Sequence, residues 1–274
     1  MKVFIVADIE GAVGVSKRSQ CYFLKPDFQY GRRCLTDDVN AVVQGAIEAG
    51  ADRIVVRDTH EMGQNIIREN LPPAVEYIGG QPARPFPILG DPSGADLVFL
   101  VASHARSGSP SGFFPHTFFG GFSEVRINGN PVGEAFIYAA TLSEWGIPIA
   151  FNSGDRQAIR ESLSIMPWLK TVEAPKEEEY YSAPEAEERI SALRERLRAG
   201  AFDAVKGIIE MKCLELQPDS FWEVDIKDTD LAGKIKVAGA SLAGCTLSWR
   251  AETYLEGFDT FFNLVQAAFL AYIS

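Results

Sequence analysis

The sequence predicts an α/β fold, a mainly parallel sheet flanked by helices, with a second, smaller α/β part towards the C-terminus. Three observations lead there. Short runs that are apolar on both faces, Val3–Ala7, Ile54–Val56 and Leu97–Val101, read as strands of a buried parallel sheet. A stretch of helical periodicity separates the first two of them, as a β-α-β crossover requires. From about Thr171 the texture turns Glu- and Lys-rich, which sets the expected division into residues 1–170, a metal-binding catalytic part, and residues 171–274, a smaller C-terminal part.

The elements follow in order. After Val3–Ala7, Thr36 is expected to cap a helix running through Val39, Val42, Val43, Ala46 and Ile47 to Gly50. The strands Ile54–Val56 and Leu97–Val101 come next. Val125–Ile127, Asn128-Gly129 and Pro131-Val132 form a hairpin pattern, since Asn-Gly readily takes the positive φ values of a tight turn. Its return arm delivers the chain to Glu134, where a helix to about Glu144 begins, and Gly146 separates that helix from a strand at Ile147–Phe151. In the C-terminal part a helix from about Pro184 to Ala199 carries Glu185, Glu187 and Glu188 early and Arg194, Arg196 and Arg198 late, matching the helix dipole, with Gly200 closing it. Ile190, Leu193 and Leu197 make its apolar stripe, so its acidic run is a solvated face and not a ligand site.

With 274 residues, 46% of them hydrophobic and 23% charged, the chain can bury a substantial core. The net charge of −11, with no block of Lys or Arg, weighs against nucleic acid and anionic membrane as partners. Neither apolar terminus has the length of a membrane span or the form of an export signal. Cys21, Cys34, Cys213 and Cys245 are far apart and form no zinc ribbon or disulfide framework, so a reducing, cytoplasmic setting is expected.

In open α/β sheets, ligands gather beyond the carboxyl ends of the strands. Here those ends are rich in metal-binding types. Asp8-Ile9-Glu10-Gly11 follows the first strand, Asp58-Thr59-His60 the second, and Ser103-His104 the third. A single loop His or Asp is usually a hydrogen-bonding or capping residue, and Asp58 is read as a turn cap ahead of a ligand. The coincidence at successive strand ends is what points to a metal, because imidazole and carboxylate together suit a divalent cation. His116, the one remaining histidine, lies in a Gly- and Phe-rich segment from Gly108 to Phe122 that is expected to close over the site. His60, His104 and His116 are therefore expected in one hydrolytic centre. Asp8, Glu10 and Glu134 would bring three negative charges, and two divalent cations with a bridging hydroxide would bring the total to zero, which favours two metals over one.

Other motifs fail. His60-Glu61 lacks the second histidine of a His-Glu-x-x-His helix, and there is no Gly-x-Ser-x-Gly elbow. Gly11-Ala12-Val13-Gly14 lacks the glycine spacing of a nucleotide-binding turn and has two carboxylates where a pyrophosphate would approach.

Taken together, Val6-Ala7-Asp8-Ile9-Glu10-Gly11, Asp58-Thr59-His60, His104-Ala105-Arg106 and Asn130-Pro131-Val132-Gly133-Glu134 resemble the D-aminopeptidases of peptidase family M55, over at least Met1 to Asp155. The resemblance implies two zinc ions per subunit, with Asp8 bridging, Glu10 and His60 completing one site, and His104 and Glu134 the other. It implies His116 as the catalytic histidine, near the metals but not ligating them. It also implies short peptides beginning with D-amino acids such as D-Ala as substrates, and self-association into a ring, a homodecamer. This chain departs from the family pattern around His116: it has Pro115-His116-Thr117 where the relatives carry Ser on both sides, and the interval from His104 is one residue longer. Two rival readings remain at this stage, a binuclear metal phosphoesterase and a metal-binding ring protein without catalysis. For the α-amine of a substrate, a metal, Asp58 and Asp155 are the candidates.

Overall fold

The computed structural model describes residues 1–82 and 84–274. The strands are β1 (Lys2–Ala7), β2 (Arg53–Asp58), β3 (Val75–Ile78), β4 (Leu97–Ser103), β5 (Phe122–Ile127), β6 (Asn130–Pro131), β7 (Ile149–Gly154), β8 (Lys170–Glu173), β9 (Ser220–Ile226), β10 (Ser241–Ala243) and β11 (Thr246–Ala251). The α-helices are α1 (Phe28–Glu48), α2 (Glu134–Ser143), α3 (Arg156–Ile165), α4 (Glu178–Ser182), α5 (Ala186–Lys206), α6 (Thr229–Lys234) and α7 (Tyr254–Ile273).

Six strands form a parallel sheet in the order β3-β2-β1-β4-β7-β8. The two faces of β1 show why its strands read as continuous apolar runs. Val3, Ile5 and Ala7 pack with residues of α1 and α5 on one side, while Phe4 and Val6 pack with α2, α7 and the second sheet on the other. The strand order reverses between β1 and β4, one branch running outward through β2 and the other through β7, so a crevice opens beyond the ends of β1 and β4.

The second sheet has the order β10-β11-β9-β5-β6 and is antiparallel. The expected hairpin is β5-β6, with Asn128 at φ 51° and Gly129 at φ 76° in its turn. This hairpin pairs through β5 with β9, so the second sheet draws strands from both sides of residue 170. Likewise β8 adds the outer strand of the parallel sheet, and α5 packs against α1. The division at 170/171 expected from composition thus differs from the division between the sheets, because the texture change follows solvent-facing helix surface and not the limits of a core.

Two helix ends differ from expectation for packing reasons. Helix α1 begins at Phe28, well before Thr36. Thr36 lies inside it, donating to the Arg32 carbonyl at 2.7 Å and accepting from the Ile67 N–H at 3.0 Å. Helix α5 runs through Gly200 to Lys206. A Cβ on Gly200 would meet the Phe151 ring at 2.8 Å, so this glycine serves close helix-to-sheet packing and not termination. Among the described residues no helix is long and apolar enough to cross a membrane, and the four cysteines are free.

Candidate metal centre

Asp8 and Glu10 leave the end of β1 on a turn whose backbone leans on β4. The Asp8 N–H donates to the Val101 carbonyl at 2.9 Å, and the Gly11 N–H to the Ala102 carbonyl at 2.8 Å. A Cβ on Gly11 would lie 2.2 Å from the Ser103 carbonyl oxygen, so this turn requires glycine. On the facing strand Ala102 takes φ 66°, a left-handed conformation unfavourable for a side chain with a Cβ, where the β4–β7 register shifts. That irregularity directs the following residues, including His104, at the crevice.

The other groups converge from separate elements. His60 follows β2, and Glu134 is the first residue of α2, delivered by the hairpin. His116 is carried in by a loop pinned at Thr117, whose hydroxyl accepts from the Ser107 N–H at 3.0 Å, and by its own N–H, which donates to the Ala105 carbonyl at 3.1 Å. His60 Nε2 lies 3.2 Å from Glu10 Oε1, and His104 Nε2 lies 3.3 Å from both Asp8 Oδ2 and Glu134 Oε1. His116 Nε2 is 3.8 Å from Glu10 Oε1, and its ring stacks on that of His104 with centroids 4.0 Å apart and planes 2° from parallel.

Each imidazole is held by its outer nitrogen. His104 Nδ1 faces the Ala105 carbonyl at 3.0 Å and His116 Nδ1 the Phe114 carbonyl at 2.9 Å. His60 Nδ1 faces Asn65 Oδ1 at 3.1 Å, while Asn65 Nδ2 donates to Asp58 Oδ1 and to the His60 carbonyl, which fixes that oxygen as the acceptor. All three Nδ1 atoms are therefore donors, and all three Nε2 atoms present themselves to the carboxylates. This is the arrangement that orients imidazole as a metal ligand.

The carboxylates meet the same demand. Glu10 is 1% exposed, and neither of its oxygens has a hydrogen-bond partner. His60 Nε2, 3.2 Å from Glu10 Oε1, has no proton to donate in the neutral Nδ1-protonated form and becomes a partner only as a cation. A buried carboxylate with no donor is costly unless a cation supplies the missing charge. Asp8 Oδ1 is satisfied by the Ile9 N–H and Glu134 Oε1 by the Phe118 N–H, both at 2.8 Å. Ligand atoms of Asp8, Glu10 and His104 lie within 4.8 Å of one another, as do those of His104, His116 and Glu134. The donor set fits divalent cations of the zinc type.

Titration behaviour follows from this crowding. Burial, reinforced by Glu10, pushes the Asp8 carboxyl well above the usual range. Burial would do the same to Glu10, but the His60 charge beside it wins and holds it well below. Against its own burial, His60 is raised to about 10 by Glu10, and His104 is raised by Glu134. His116 goes the other way, lowered to about 4 by burial and by the stacked His104. Positive charge thus accumulates next to Glu10 and Glu134, while His116 stays neutral. Metal cations in the same positions would take over that charge and leave the ligating imidazoles neutral.

Comparison with known proteins identifies the family. A family model described as D-aminopeptidase, Peptidase M55, matches residues 1–262. The chain belongs to peptidase family M55. A curated D-aminopeptidase of Bacillus subtilis (strain 168) is 27% identical over 175 residues, which span 62% of this chain and 62% of that relative. A solved structure, described as a Zn-dependent D-aminopeptidase from Bacillus subtilis and a self-compartmentalizing protease, superposes with a TM-score of 0.87 at 20% identity over 98% of each chain. This M55 chain therefore shares that fold, its parallel sheet and smaller antiparallel sheet included.

The six side chains expected from sequence, Asp8, Glu10, His60, His104, His116 and Glu134, are brought together. Asp58 and Asp155 are not with them. Asp58 accepts from the N–H groups of Asn65 and Ile66 and from the Tyr77 hydroxyl, holding the loop after His60. Asp155 caps α3 and accepts from the N–H groups of Ala105 and Phe113, holding the loop that carries His116. With their oxygens so engaged, neither is free to take a substrate amine. Asn65 is the functional residue that sequence reasoning does not find. Its role depends on a contact across a loop, and no periodicity or motif marks it.

Proposed function

We propose that this chain is a zinc-dependent D-aminopeptidase that releases N-terminal D-amino acids, such as D-Ala, from short peptides, with two zinc ions per subunit and assembly into a ring-shaped homodecamer in the cytoplasm. The observation that carries the reading is the unpartnered buried carboxylate of Glu10, set among imidazoles whose Nε2 atoms all face inward. Family membership supports the reaction class. The names of the Bacillus relatives support the metal, the D-configured substrate and self-association.

Glu10 and His60 would hold one ion, and His104 and Glu134 the other. Asp8 lies near His104 and close enough to Glu10 to feel its charge, which supports a bridging role. Zinc, when bound, supplies a water acidified to near neutrality and polarises the scissile carbonyl. His116 is held by its Nδ1 proton on the Phe114 carbonyl, leaving Nε2 open to take a proton from the attacking water and return it to the departing amine.

The test is metal analysis coupled to turnover of D- and L-aminoacyl p-nitroanilides and short peptides. Two zinc ions per chain and chelator-sensitive turnover of D-configured substrates are expected. Hydrolysis of p-nitrophenyl phosphate with no action on the amides would establish the phosphoesterase instead, and tight zinc binding without any turnover would leave a binding ring.

A further inference from the structure

The mouth of the site carries a feature that metal binding does not use. Arg18 is exposed, and among the described residues its guanidinium has no carboxylate partner, in a chain of net charge −11. Its position is nevertheless defined. The short turn Arg18–Gln20 is pinned by the buried Gln20, whose side-chain oxygen accepts from the Ser16 and Lys17 N–H groups at 2.8 and 2.9 Å. The Arg18 guanidinium carbon sits 4.6 Å from the centroid of the Phe114 ring. Phe114 in turn lies 4.9 Å from the His116 ring, meets Tyr22 edge-on at 5.7 Å, and offers its carbonyl to His116 Nδ1. One residue thus orients the candidate catalytic imidazole through its backbone and a stacked cation through its ring.

We infer that Arg18 anchors the C-terminal carboxylate of the substrate, making it a specificity-determining residue for di- and tripeptides with a free α-carboxylate. This rests on the aminopeptidase reading. An aminopeptidase substrate of that length is a zwitterion, and its carboxylate must sit near a pocket already crowded with Asp8, Glu10 and Glu134. With two zinc ions bound those three charges are balanced, so the carboxylate finds no partner in the pocket itself and needs a cation of its own at the rim. The two ring contacts bound the distance from Arg18 to His116 at under about 10 Å, the reach of two to three extended residues at ~3.3–3.6 Å each. Stacking on Phe114 holds the planar guanidinium in place while its N–H edge stays free for bidentate contact with a carboxylate.

The experiment measures kcat and KM of the zinc-loaded protein on D-Ala-D-Ala and on its C-terminal amide, for the wild type and for Arg18→Ala, Arg18→Lys and Arg18→Glu. The wild type is expected to favour the free acid in kcat/KM by about tenfold or more, the scale of one charge-assisted contact. Arg18→Ala should raise KM for the acid and erase that preference while leaving the amide and kcat nearly unchanged. Arg18→Lys should recover part of it, and Arg18→Glu should invert it. A wild type indifferent to the C-terminal group, or an Arg18→Ala variant that weakens acid and amide equally, would overturn the inference and leave Arg18 a packing partner of Phe114. Turnover of neither substrate by the zinc-loaded wild type would instead defeat the aminopeptidase reading, and the inference with it.

Discussion

Replacing Glu10 with Gln removes one charge with almost no change of shape, at the position where burial and missing partners are most extreme. At free zinc about 1,000-fold above Kd, one bound ion adds about 4 kcal/mol to stability. At about 2–4 °C per kcal/mol for a large domain, that raises Tm by roughly 8–16 °C per ion. On the proposed assignment, Glu10→Gln would leave the ion beside His60 only that imidazole and a share of Asp8, so its increment should vanish while that of the other ion persists. The chelated proteins should differ much less, because the amide introduced by Glu10→Gln can donate to His60 Nε2 and replace an ion pair by a neutral hydrogen bond. The assay is calorimetry with and without zinc, beside metal analysis of the dialysed proteins. If Glu10→Gln binds as much zinc as the wild type and shows the same zinc-induced rise in Tm, the assignment of Glu10 as a ligand is wrong.

Three further outcomes follow from particular contacts. His116→Ala should reduce kcat by about 10²–10⁴-fold, the scale of a lost general acid–base group, while metal analysis finds zinc content unchanged; loss of zinc in parallel would make His116 a ligand. Burial pushes the Asp38 carboxyl up to about 7 against the pull of Arg194 and the Val13 N–H. Its folded value lies above its unfolded one, so the stability it contributes is complete at low pH and declines as pH rises from about 4 to about 7. Urea unfolding should therefore show Asp38→Asn gaining on the wild type between pH 5 and pH 8, and a difference that does not move with pH would contradict this. Gly45→Ala should destabilise by about 3 kcal/mol despite its better helix propensity, because the new Cβ would lie 2.0 Å from the Arg198 carbonyl oxygen of α5. Thermal unfolding measures it.

The buried strands and the residues at their ends were legible in the sequence because both are local matters. A strand covered on both faces needs a continuous apolar run, and Asp8, Glu10, His60 and His104 directly follow such runs. Glu134 was legible through the Asn-Gly turn that returns the chain to the start of α2. What only the tertiary structure decided depends on contacts between distant segments. Gly200 reads as a helix stop until the Phe151 ring lies against it, and Thr36 reads as a cap until Ile67 does. The second sheet joins β5 to β9 across the whole stretch from α2 through α5, a pairing no composition change marks. Within the candidate site, the sequence supplied residue types that could ligate a metal, but the tautomer of each imidazole was set by Ala105, Phe114 and Asn65, whose acceptors come from backbone geometry and loop packing. Asp58 and Asp155 make the same point, since their neighbours in sequence suggest chemistry while their partners in space make them struts of the loops that carry it. Residue type and strand ends determine which groups can reach the crevice; only the folded chain determines which way each one faces, because orientation is fixed by hydrogen bonds between segments far apart along it.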